Sequence, residues 1–341
     1  MKLYFAPIDG VTGRIYRNAF TKFFVSPDKY FAPFISPCHN PKLKGKEIRE
    51  LLPENNENIN LVPQIMANNP EYFIKGAKQL QEMGYNEVNL NAGCPSGTVV
   101  PKGRGAGFLK DTDLMEKFFD VVFTKLDMKI SVKTRIGIFD ESEFPEIMEV
   151  YNKFPFEEVI VHPRTRVQLY NGLPNMESFD YAYKVSKNKL CYNGNVFSVE
   201  DYNDIVSNYD VDSVMLGRGL LRNPNLVNEI KGGEKISKET LRQFHDKLYG
   251  DFAVEMSADK HLLNKMIEMW NYLSYATTDP HKTAKMIRKS QSTFKYEKAV
   301  EQIFNEYVEY KKRLIKNNIG FLYLLKNRKF NRNQKNKDLI V

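Results

Sequence analysis

Cys94 is the residue of this chain whose side chain and setting best suit catalysis. It lies in Gly93-Cys94-Pro95, directly after an apolar run, where the glycine and proline would fix the path of the loop. A cysteine thiol has an ordinary pKa of about 8.5, so it is protonated near neutral pH and can act as a general acid. Cys38 and Cys191 lack such a setting, and we interpret both as structural. Because the three cysteines include no Cys-x-x-Cys pair, neither a disulfide framework nor a metal site is expected.

Polar or charged residues also follow most of the other apolar runs. They are Pro7-Ile8-Asp9, Gln64, Lys133 with Arg135, His162 with Arg164 and Arg166, Asn193-Gly194-Asn195, and Gly217-Arg218. In a closed barrel of parallel strands the carboxyl ends of all strands meet on one face, and active sites of this architecture lie there. The spacing therefore predicts one site built from many strand ends.

Up to about residue 222, short apolar runs alternate with longer amphipathic segments, which is typical of repeated βα units. Eight candidate strands can be counted: Leu3–Ala6, Tyr30–Ile35, Leu61–Met66, Glu87–Asn91, Ile130–Thr134, Val159–His162, Leu190–Tyr192 and Ser213–Leu216. Eight strands predict an α/β fold, a (β/α)8 TIM barrel. An open doubly wound sheet is the alternative, but the Gly-rich turn after the first strand that is typical of it is absent.

Helical periodicity replaces this alternation after Pro224. Ser237 is a candidate N-cap, and apolar residues recur at helical spacing in Leu241, Phe244, Leu248, Phe252, Leu262, Met266, Trp270, Leu273, Ile287, Phe294, Ile303, Tyr307 and Leu314. We predict three parts: a catalytic barrel over 1–232, an all-helical domain over 236–318 and a basic tail over 319–341.

The net charge of +8 is concentrated at the C-terminus. Ten Lys or Arg and no acidic residue lie between Lys311 and Lys337, and removing them from the 50 basic residues leaves 40 against 42 acidic ones. Such a segment suits a polyanion, nucleic acid above all, although it could equally be a solvated tail that aids solubility. No run is long enough to span a membrane and no signal pattern begins the chain, so a cytoplasmic protein is expected.

The stretch Val88-Asn89-Leu90-Asn91-Ala92-Gly93-Cys94-Pro95, followed by Gly105-Ala106, resembles the signature of the FMN-dependent tRNA-dihydrouridine synthase family. The resemblance runs from residue 3 to about 225, through Val132-Lys133-Thr134-Arg135 and His162-Pro163-Arg164-Thr165-Arg166. It implies bound FMN, reduction of the C5–C6 bond of uridines in tRNA, NADPH (or NADH) as the electron donor and Cys94 as the proton donor. No obligatory protein partner is evident from the sequence.

The resemblance also implies roles for individual residues. Those expected at FMN are Pro7, Ile8, Asp9, Gln64, Lys133, His162, Asn193, Gly194, Asn195, Gly217 and Arg218; those expected at the substrate are Asn91, Lys102, Arg135, Arg164 and Arg166. A structural salt bridge for Arg218, a structural His162 and solvated arginines are the alternatives. The segment Gly103-x-Gly105-x-Gly107 is interpreted as a flexible loop carrying Lys102.

Two other functions are alternatives to this one. One is an FMN barrel oxidoreductase of the dihydroorotate-dehydrogenase type that acts on a free small molecule, and the basic tail counts against it. The other is an RNA-binding protein on an inactive barrel. It would be expected to lack the cysteine or the flavin residues, which are all present.

Overall fold

The computed structural model describes residues 1–37, 43 and 45–306. Cys38 and the predicted basic tail, 319–341, lie outside the described residues. The sheet is wholly parallel, in the order β3-β2-β1-β9-β8-β7-β6-β5-β4. Its strands are β1 (Lys2–Phe5), β2 (Lys29–Phe31), β3 (Leu61–Val62), β4 (Gln64–Ile65), β5 (Glu87–Ala92), β6 (Lys129–Arg135), β7 (Glu158–His162), β8 (Leu190–Tyr192) and β9 (Ser213–Leu216).

The sheet closes on itself at Pro63. This residue separates β3, which pairs with β2, from β4, which pairs with β5. Proline has no N–H and interrupts the ladder, while its carbonyl oxygen accepts the N–H of Asn89 at 2.9 Å. The two halves are therefore one barrel strand, which the sequence predicts as a single run. With them counted as one, the fold is the predicted eight-stranded TIM barrel.

The barrel interior follows from the alternation of side chains along each strand. One face of the strands supplies a separate apolar cluster made of Tyr4, Ala6, Phe31, Val62, Ile160, Cys191 and Met215. The other face packs against the helices in the main hydrophobic core. Six of the strands therefore carry apolar residues on both faces, as is usual for a parallel sheet covered by helices. The strands β4, β5 and β6 instead turn the polar residues Gln64, Asn89 and Ser131 toward the interior.

The helices of the barrel are α1 (Arg14–Phe23), α2 (Gly45–Leu51), α3 (Pro70–Glu82), α4 (Thr112–Lys125), α5 (Phe144–Tyr151), α6 (Met176–Val185), α7 (Val199–Asn208), α8 (Arg218–Arg222) and α9 (Leu226–Ile230). Side-chain caps set several of the starts. Asn69 accepts the N–H of Tyr72 at the start of α3, and Ser198 and Asp201 form a capping box on α7. In the described part of the chain, no helix has the length and apolar character needed to cross a membrane.

Between residue 236 and residue 306, where the described part of the chain ends, there are four α-helices: α10 (Lys238–Glu255), α11 (Asp259–Leu273), α12 (Pro280–Arg288) and α13 (Thr293–Glu306). Ser237 caps α10 as predicted, through the N–H of Thr240. The predicted apolar positions from 241 to 273 are buried, as are Ile287 and Ile303. Phe294 lies in α13, so the predicted helix is present, but its inclusion among the core positions is wrong: the residue is 63% exposed, and its ring lies under Lys298 Nζ at 4.4 Å. Tyr307 and Leu314 lie outside the described residues, and the boundaries 1–232 and 236–318 stay predictions.

The helical region rests on the barrel through aromatic contacts. The ring of Phe244 on α10 meets Tyr16 and Phe24 edge-on, with centroids 5.6 and 4.9 Å apart. Arg222, at the end of α8, lies between two rings, with its guanidinium carbon 4.4 Å from the centroid of Phe197 and 3.9 Å from that of Tyr275. These contacts join the barrel to the helices that follow it.

Replacing Arg222 with alanine is expected to lower the free energy of unfolding by about 1–2 kcal/mol, because the change removes the contacts of a partly desolvated cation with two aromatic rings. Urea denaturation followed by circular dichroism measures this change. Arg288→Ala is the matched control, since Arg288 is exposed on α12. Equal stabilities of the two variants would show that the Arg222 contacts contribute nothing.

Candidate active site at the carboxyl ends of the strands

The loop that carries Cys94 is anchored at the end of β5. Asn91 Oδ1 accepts the N–H groups of Gly93, at 3.1 Å, and of Cys94, at 2.5 Å. On the other side of the loop, the carbonyl oxygen of Cys94 accepts the N–H of Ala106 at 2.9 Å. The backbone of the cysteine is therefore fixed from two directions, while its side chain stays half-buried.

The glycines that follow Cys94 serve close packing. Gly105 has φ +56°, and a Cβ there would come within 2.6 Å of the Cys94 carbonyl oxygen; a Cβ on Gly107 would come within 2.3 Å of the Val100 oxygen. Residues 105–109 are buried. The expectation of a flexible loop is therefore wrong for this part of the segment, because Cys94 and Val100 pack directly against it. Lys102 is exposed at its edge, and its carbonyl oxygen accepts Asn68 Nδ2 at 2.9 Å.

The environment of Cys94 favours the thiol. Burial raises the pKa of Cys94, and the charge of Asp9 raises it further; a backbone hydrogen bond from Ser96 and the charges of Arg135 and Lys133 act in the opposite direction without cancelling the shift. A proton is therefore held on Cys94 throughout the neutral pH range, which suits a general acid more than a nucleophile.

Four cations lie around His162, and two of them, Arg135 and Lys133, are also close to Cys94. In the part of the chain that the structure describes, Lys133, Arg135, Arg164 and Arg218 have no carboxylate oxygen within 4.0 Å. Burial and the charge of Arg135 lower the pKa of Lys133 from 10.5 to about 8. A group of cations without counter-charges is a site prepared for an anionic ligand.

His162 lies within this group as a neutral ring. Burial holds the pKa of His162 well below its usual range, helped by the charges of Arg135, Lys133, Arg164 and Arg218. Its Nε2 is 2.9 Å from Arg164 Nη1. Because a guanidinium can only donate, Nε2 must accept, and the ring proton is assigned to Nδ1.

Two of the predicted substrate residues have their side chains turned into the protein. Arg164 is fully buried, and its Nη2 donates to the carbonyl oxygen of Gly172 at 2.7 Å. Arg135 is 2% exposed and donates to the carbonyl oxygens of Gly93 and Thr165, both at 2.8 Å. Arg164, which is predicted to contact the substrate, directs its guanidinium to two carbonyl oxygens of its own loop and to the ring of His162. Arg135 joins the Cys94 loop to the loop after β7.

Arg166 and Asn91 differ in their exposure. The Arg166 side chain is partly exposed, and within the described residues its Nε is buried without a hydrogen-bond partner. Asn91 is 8% exposed and faces the barrel mouth between the Cys94 loop and Gln64, which is 1% exposed. Asn91 Nδ2 donates to Gln64 Oε1 at 2.8 Å. Gln64, which is predicted to bind the flavin, and Asn91, which is predicted to bind the substrate, are thus in direct contact.

The loops after β8 and β9 come together as expected. Asn195 Oδ1 accepts Arg218 Nη2 at 2.9 Å, and Asn193 Nδ2 donates to the carbonyl oxygen of Met215 at 2.8 Å. Gly194 lies over the Tyr192 hydroxyl, which a Cβ would approach to 2.1 Å, and Gly217 faces Ala6. These residues form one end of the site.

The turn after β1 forms another wall of the site. The N–H of Ile8 donates to Thr12 Oγ1 at 2.8 Å, and Lys265 of α11 donates to the carbonyl oxygen of Gly10 at 2.6 Å. Pro7 and Ile8 are half-buried, while Asp9 is exposed and lies near enough to Cys94 to affect its pKa. Through Lys265, the helical region therefore contacts the turn that is predicted to bind the flavin.

Tyr170 is a site residue that the sequence analysis did not identify. Its ring centroid lies 4.4 Å from the guanidinium carbon of Arg218, 5.6 Å from that of Arg135 and 6.0 Å from the His162 ring, yet the side chain is 52% exposed. The preceding Leu169 has φ +51°, an uncommon value for a non-glycine residue. The only sequence signal is a tyrosine in the long connection between β7 and α6.

The fold and this site define a class of protein, a (β/α)8 barrel with a thiol and a group of unpaired cations around its mouth. Among solved structures, morphinone reductase in complex with tetrahydroNAD shares the fold at 10% identity and TM-score 0.51, over 71% of this chain and 90% of that one. Histamine dehydrogenase from Rhizobium sp. 4-9 does so at 10% identity and TM-score 0.54, over 72% of this chain and 49% of that one.

The sequence comparisons are more specific. The model of the family described as "Dihydrouridine synthase (Dus)" matches residues 4–318. A Staphylococcus aureus (strain Mu50 / ATCC 700699) protein named "Probable tRNA-dihydrouridine synthase" is 27% identical over 246 residues, 69% of this chain and 73% of that protein. A Helicobacter pylori (strain ATCC 700392 / 26695) protein of the same name is 27% identical over 265 residues, 74% and 80% of the two chains. The chain belongs to the dihydrouridine synthase family.

Proposed function

We propose that this protein is a tRNA-dihydrouridine synthase that reduces the C5–C6 bond of specific uridines in tRNA, with FMN as its cofactor and NADPH, or NADH, as electron donor. The observation that carries the proposal is the position of Cys94, whose N–H is held by Asn91 and whose thiol lies near Arg135 and Lys133, two cations without a carboxylate partner among the described residues. The names of the relatives support tRNA as the substrate.

The residues present fit FMN. The unpaired cations suit an anionic cofactor, and two walls of the site, the β1 turn and the β8 and β9 loops, bring backbone and small residues to it. Pro7, Ile8 and Asp9 would contact the ring, with Gln64, Lys133 and His162 at its polar edge. Asn193, Gly194, Asn195, Gly217 and Arg218 would hold the phosphate. When bound, FMN supplies the hydride that adds to C6 of uridine.

The protein itself supplies the proton and the orientation. Cys94 donates the proton to C5, and solvent protonates the resulting thiolate afterwards. Asn91, with one N–H beyond its bond to Gln64, is placed to hold the uracil edge. Arg135 keeps the Cys94 loop in register with the loop after β7. The target nucleotide must leave its stack to enter, and Lys102 and Arg166 at the rim would contact phosphate.

The proposed function is tested with the purified protein and unmodified tRNA. We expect a flavin absorbance spectrum, oxidation of NADPH, and dihydrouridine in the digested tRNA by mass spectrometry. Flavin without product on any tRNA would favour the small-molecule oxidoreductase, and a protein that binds no flavin would contradict the proposal.

The pKa of Lys133 predicts a pH dependence of FMN binding. Lys133 carries its charge below about pH 8 and loses it as the pH rises through that value. The FMN dissociation constant should therefore rise above pH 8 and stay constant below it. Fluorescence quenching titrations from pH 6 to 10 measure this. Lys133→Arg keeps the charge and should remove the dependence; a wild-type constant that does not change across the range would show that Lys133 is not at the flavin.

The basic tail is proposed to bind the tRNA body together with the helical region around Lys260, Lys265, Arg288 and Lys289. Truncation after Gly320 removes six of the ten cations between Lys311 and Lys337. It should weaken tRNA binding and reduce its salt dependence while leaving FMN bound, because fewer counterions are released. Filter binding at several salt concentrations measures this, and unchanged affinity would contradict it.

A further inference from the structure

A continuous file of polar side chains runs through the barrel interior beneath the Cys94 loop. At its upper end Asn91 Nδ2 donates to Gln64 Oε1 (2.8 Å) and Gln64 Nε2 donates to Asn89 Oδ1 (2.8 Å). Below them Asn89 Nδ2 donates to Ser131 Oγ (2.9 Å), and Ser131 Oγ donates to Glu87 Oε1 (3.1 Å). At the lower end Lys29 Nζ donates to Glu87 Oε2 (2.6 Å). Asn89 and Ser131 are fully buried. The file spans from the reactive mouth to the opposite end of the barrel.

The direction of every hydrogen bond in this file is fixed by its two ends. The Glu87 carboxylate can only accept, so Ser131 must donate to it and must accept from Asn89. At the other end the backbone N–H groups of Gly93 and Cys94 can only donate, so Asn91 must present its oxygen to them. Both constraints give the same orientation to the amides of Asn89, Gln64 and Asn91.

The file is confined to one side of the barrel. It uses the inward residues of β4, β5 and β6, the strands beneath the Cys94 loop, together with Lys29 of β2. The facing strands contribute Tyr4, Ile160, Cys191 and Met215 to the same interior, and their buried polar pair, Ser213 and Glu158, has no hydrogen bond to the file among the described residues. Apolar residues of this kind are the usual filling of such barrels, so a core alone does not require buried amides here.

We infer that Glu87, Ser131 and Asn89 are positioning residues that fix the amide orientation of Gln64 and Asn91 and, through Asn91, the place of Cys94. The inference rests on the proposed function in taking Cys94 as the reacting group and FMN as the ligand beside Gln64; the reactivity of the Cys94 thiol can be measured independently of both. Loss of a link frees the amides to rotate, so that Asn91 no longer holds the N–H of Cys94 and the half-buried thiol becomes accessible more often.

The test compares two identical changes in the barrel interior. Ser131→Ala breaks the file, whereas Ser213→Ala removes an equally buried hydroxyl that donates to Glu158 instead. In apoprotein, the rate of Cys94 alkylation by iodoacetamide is followed by peptide mass spectrometry, which separates Cys94 from Cys38 and Cys191. The FMN dissociation constant is measured by fluorescence quenching.

We expect Ser131→Ala to raise both the alkylation rate and the dissociation constant roughly 5- to 100-fold, the effect of leaving a buried amide unpaired. Ser213→Ala should change neither, and Ser131→Thr, which keeps the hydroxyl, should behave as wild type. If Ser131→Ala does not fold, Asn89→Leu interrupts the same file one link higher. Equal effects of the Ser131 and Ser213 variants, or no effect at Ser131, would overturn the inference. A chain that fails to reduce tRNA but shows the Cys94 effect would contradict only the proposed function.

Discussion

Cys94→Ala is expected to lower the rate of dihydrouridine formation by about 10²–10⁴-fold, the usual contribution of a positioned general acid. Binding of FMN and its reduction by NADPH should be unchanged, because the substitution removes the proton donor and leaves the backbone bonds of the loop to Asn91 and Ala106 available. Stopped-flow measurement of flavin reduction by NADPH and of flavin reoxidation by tRNA separates the two steps. Only the second should be slow.

Cys191→Ala is the matched control for this experiment. Cys191 is also a thiol inside the barrel, but it is fully buried in the apolar cluster, and burial raises its pKa well above the usual range. Its variant should retain full activity. Because the pKa of Cys94 is itself raised, the wild-type reoxidation rate should stay constant through neutral pH and fall only in alkaline solution, as the thiol loses its proton. Reoxidation by tRNA at the wild-type rate in Cys94→Ala would exclude Cys94 as the proton donor.

The sequence predicts the barrel because its evidence is local. In each βα unit an apolar run indicates the strand, and polar residues follow at the strand end. The number of strands, eight, and the site at their carboxyl ends can therefore be predicted without tertiary information. The interruption of the strand at Pro63 is a feature that local sequence predicts only in part. Proline indicates an interrupted ladder, but the pairing of one half with β2 and of the other with β5 depends on closure of the whole sheet.

The polar file inside the barrel is predictable only in part. Asn89 and Asn91 alternate with Val88 and Leu90, so a period of two places both amides on one face. Their contacts with Gln64 and Ser131 depend on strand register, which pairs residue 64 with 89 and residue 89 with 131. No pattern within one strand fixes that register.

Arginine side chains in long loops are the least predictable part of the site. Arg164 and Arg166 are two residues apart in the same loop. The guanidinium of Arg164 is buried against carbonyl oxygens of its own loop and the ring of His162, whereas the Arg166 side chain stays partly exposed. The difference depends on how the connection from β7 to α6 folds back on itself. The same fold brings Tyr170 over Arg218, a contact that spans 48 residues of sequence.

At the opposite end of the barrel, Glu158→Gln is expected to change the free energy of unfolding in a pH-dependent way. The change should be more stabilising at pH 8 than at pH 5 by about 2–3 kcal/mol. Glu158 is 2% exposed; its Oε1 accepts from Tyr4 and Ser213, and within the described residues its Oε2 has no partner. Burial raises the pKa of Glu158 from 4.5 to about 7. Each pKa unit corresponds to about 1.4 kcal/mol, which gives the magnitude.

The direction of this pH dependence follows from proton binding to Glu158. Between pH 4.5 and 7 the folded protein holds a proton on Glu158 that the unfolded chain has lost, so the contribution of this group to stability falls as the pH rises through that window and is absent above about pH 7. Glutamine is uncharged at every pH and escapes this loss. Urea denaturation of apoprotein at pH 5, 6, 7 and 8 measures the difference between variant and wild type, which should increase over that range.

Glu157→Gln provides the control on the neighbouring residue. Although burial acts to raise the pKa of Glu157, hydrogen bonding to Lys189 and the charges of Lys189 and Lys129 lower it overall. Its carboxylate is therefore stabilised by folding, and its replacement should cost a small amount, within about 1 kcal/mol, without a rise toward pH 8. If Glu158→Gln shows the same flat profile as Glu157→Gln, Glu158 is ionised at little cost and its surroundings must be more polar than the contacts of Tyr4 and Ser213 indicate.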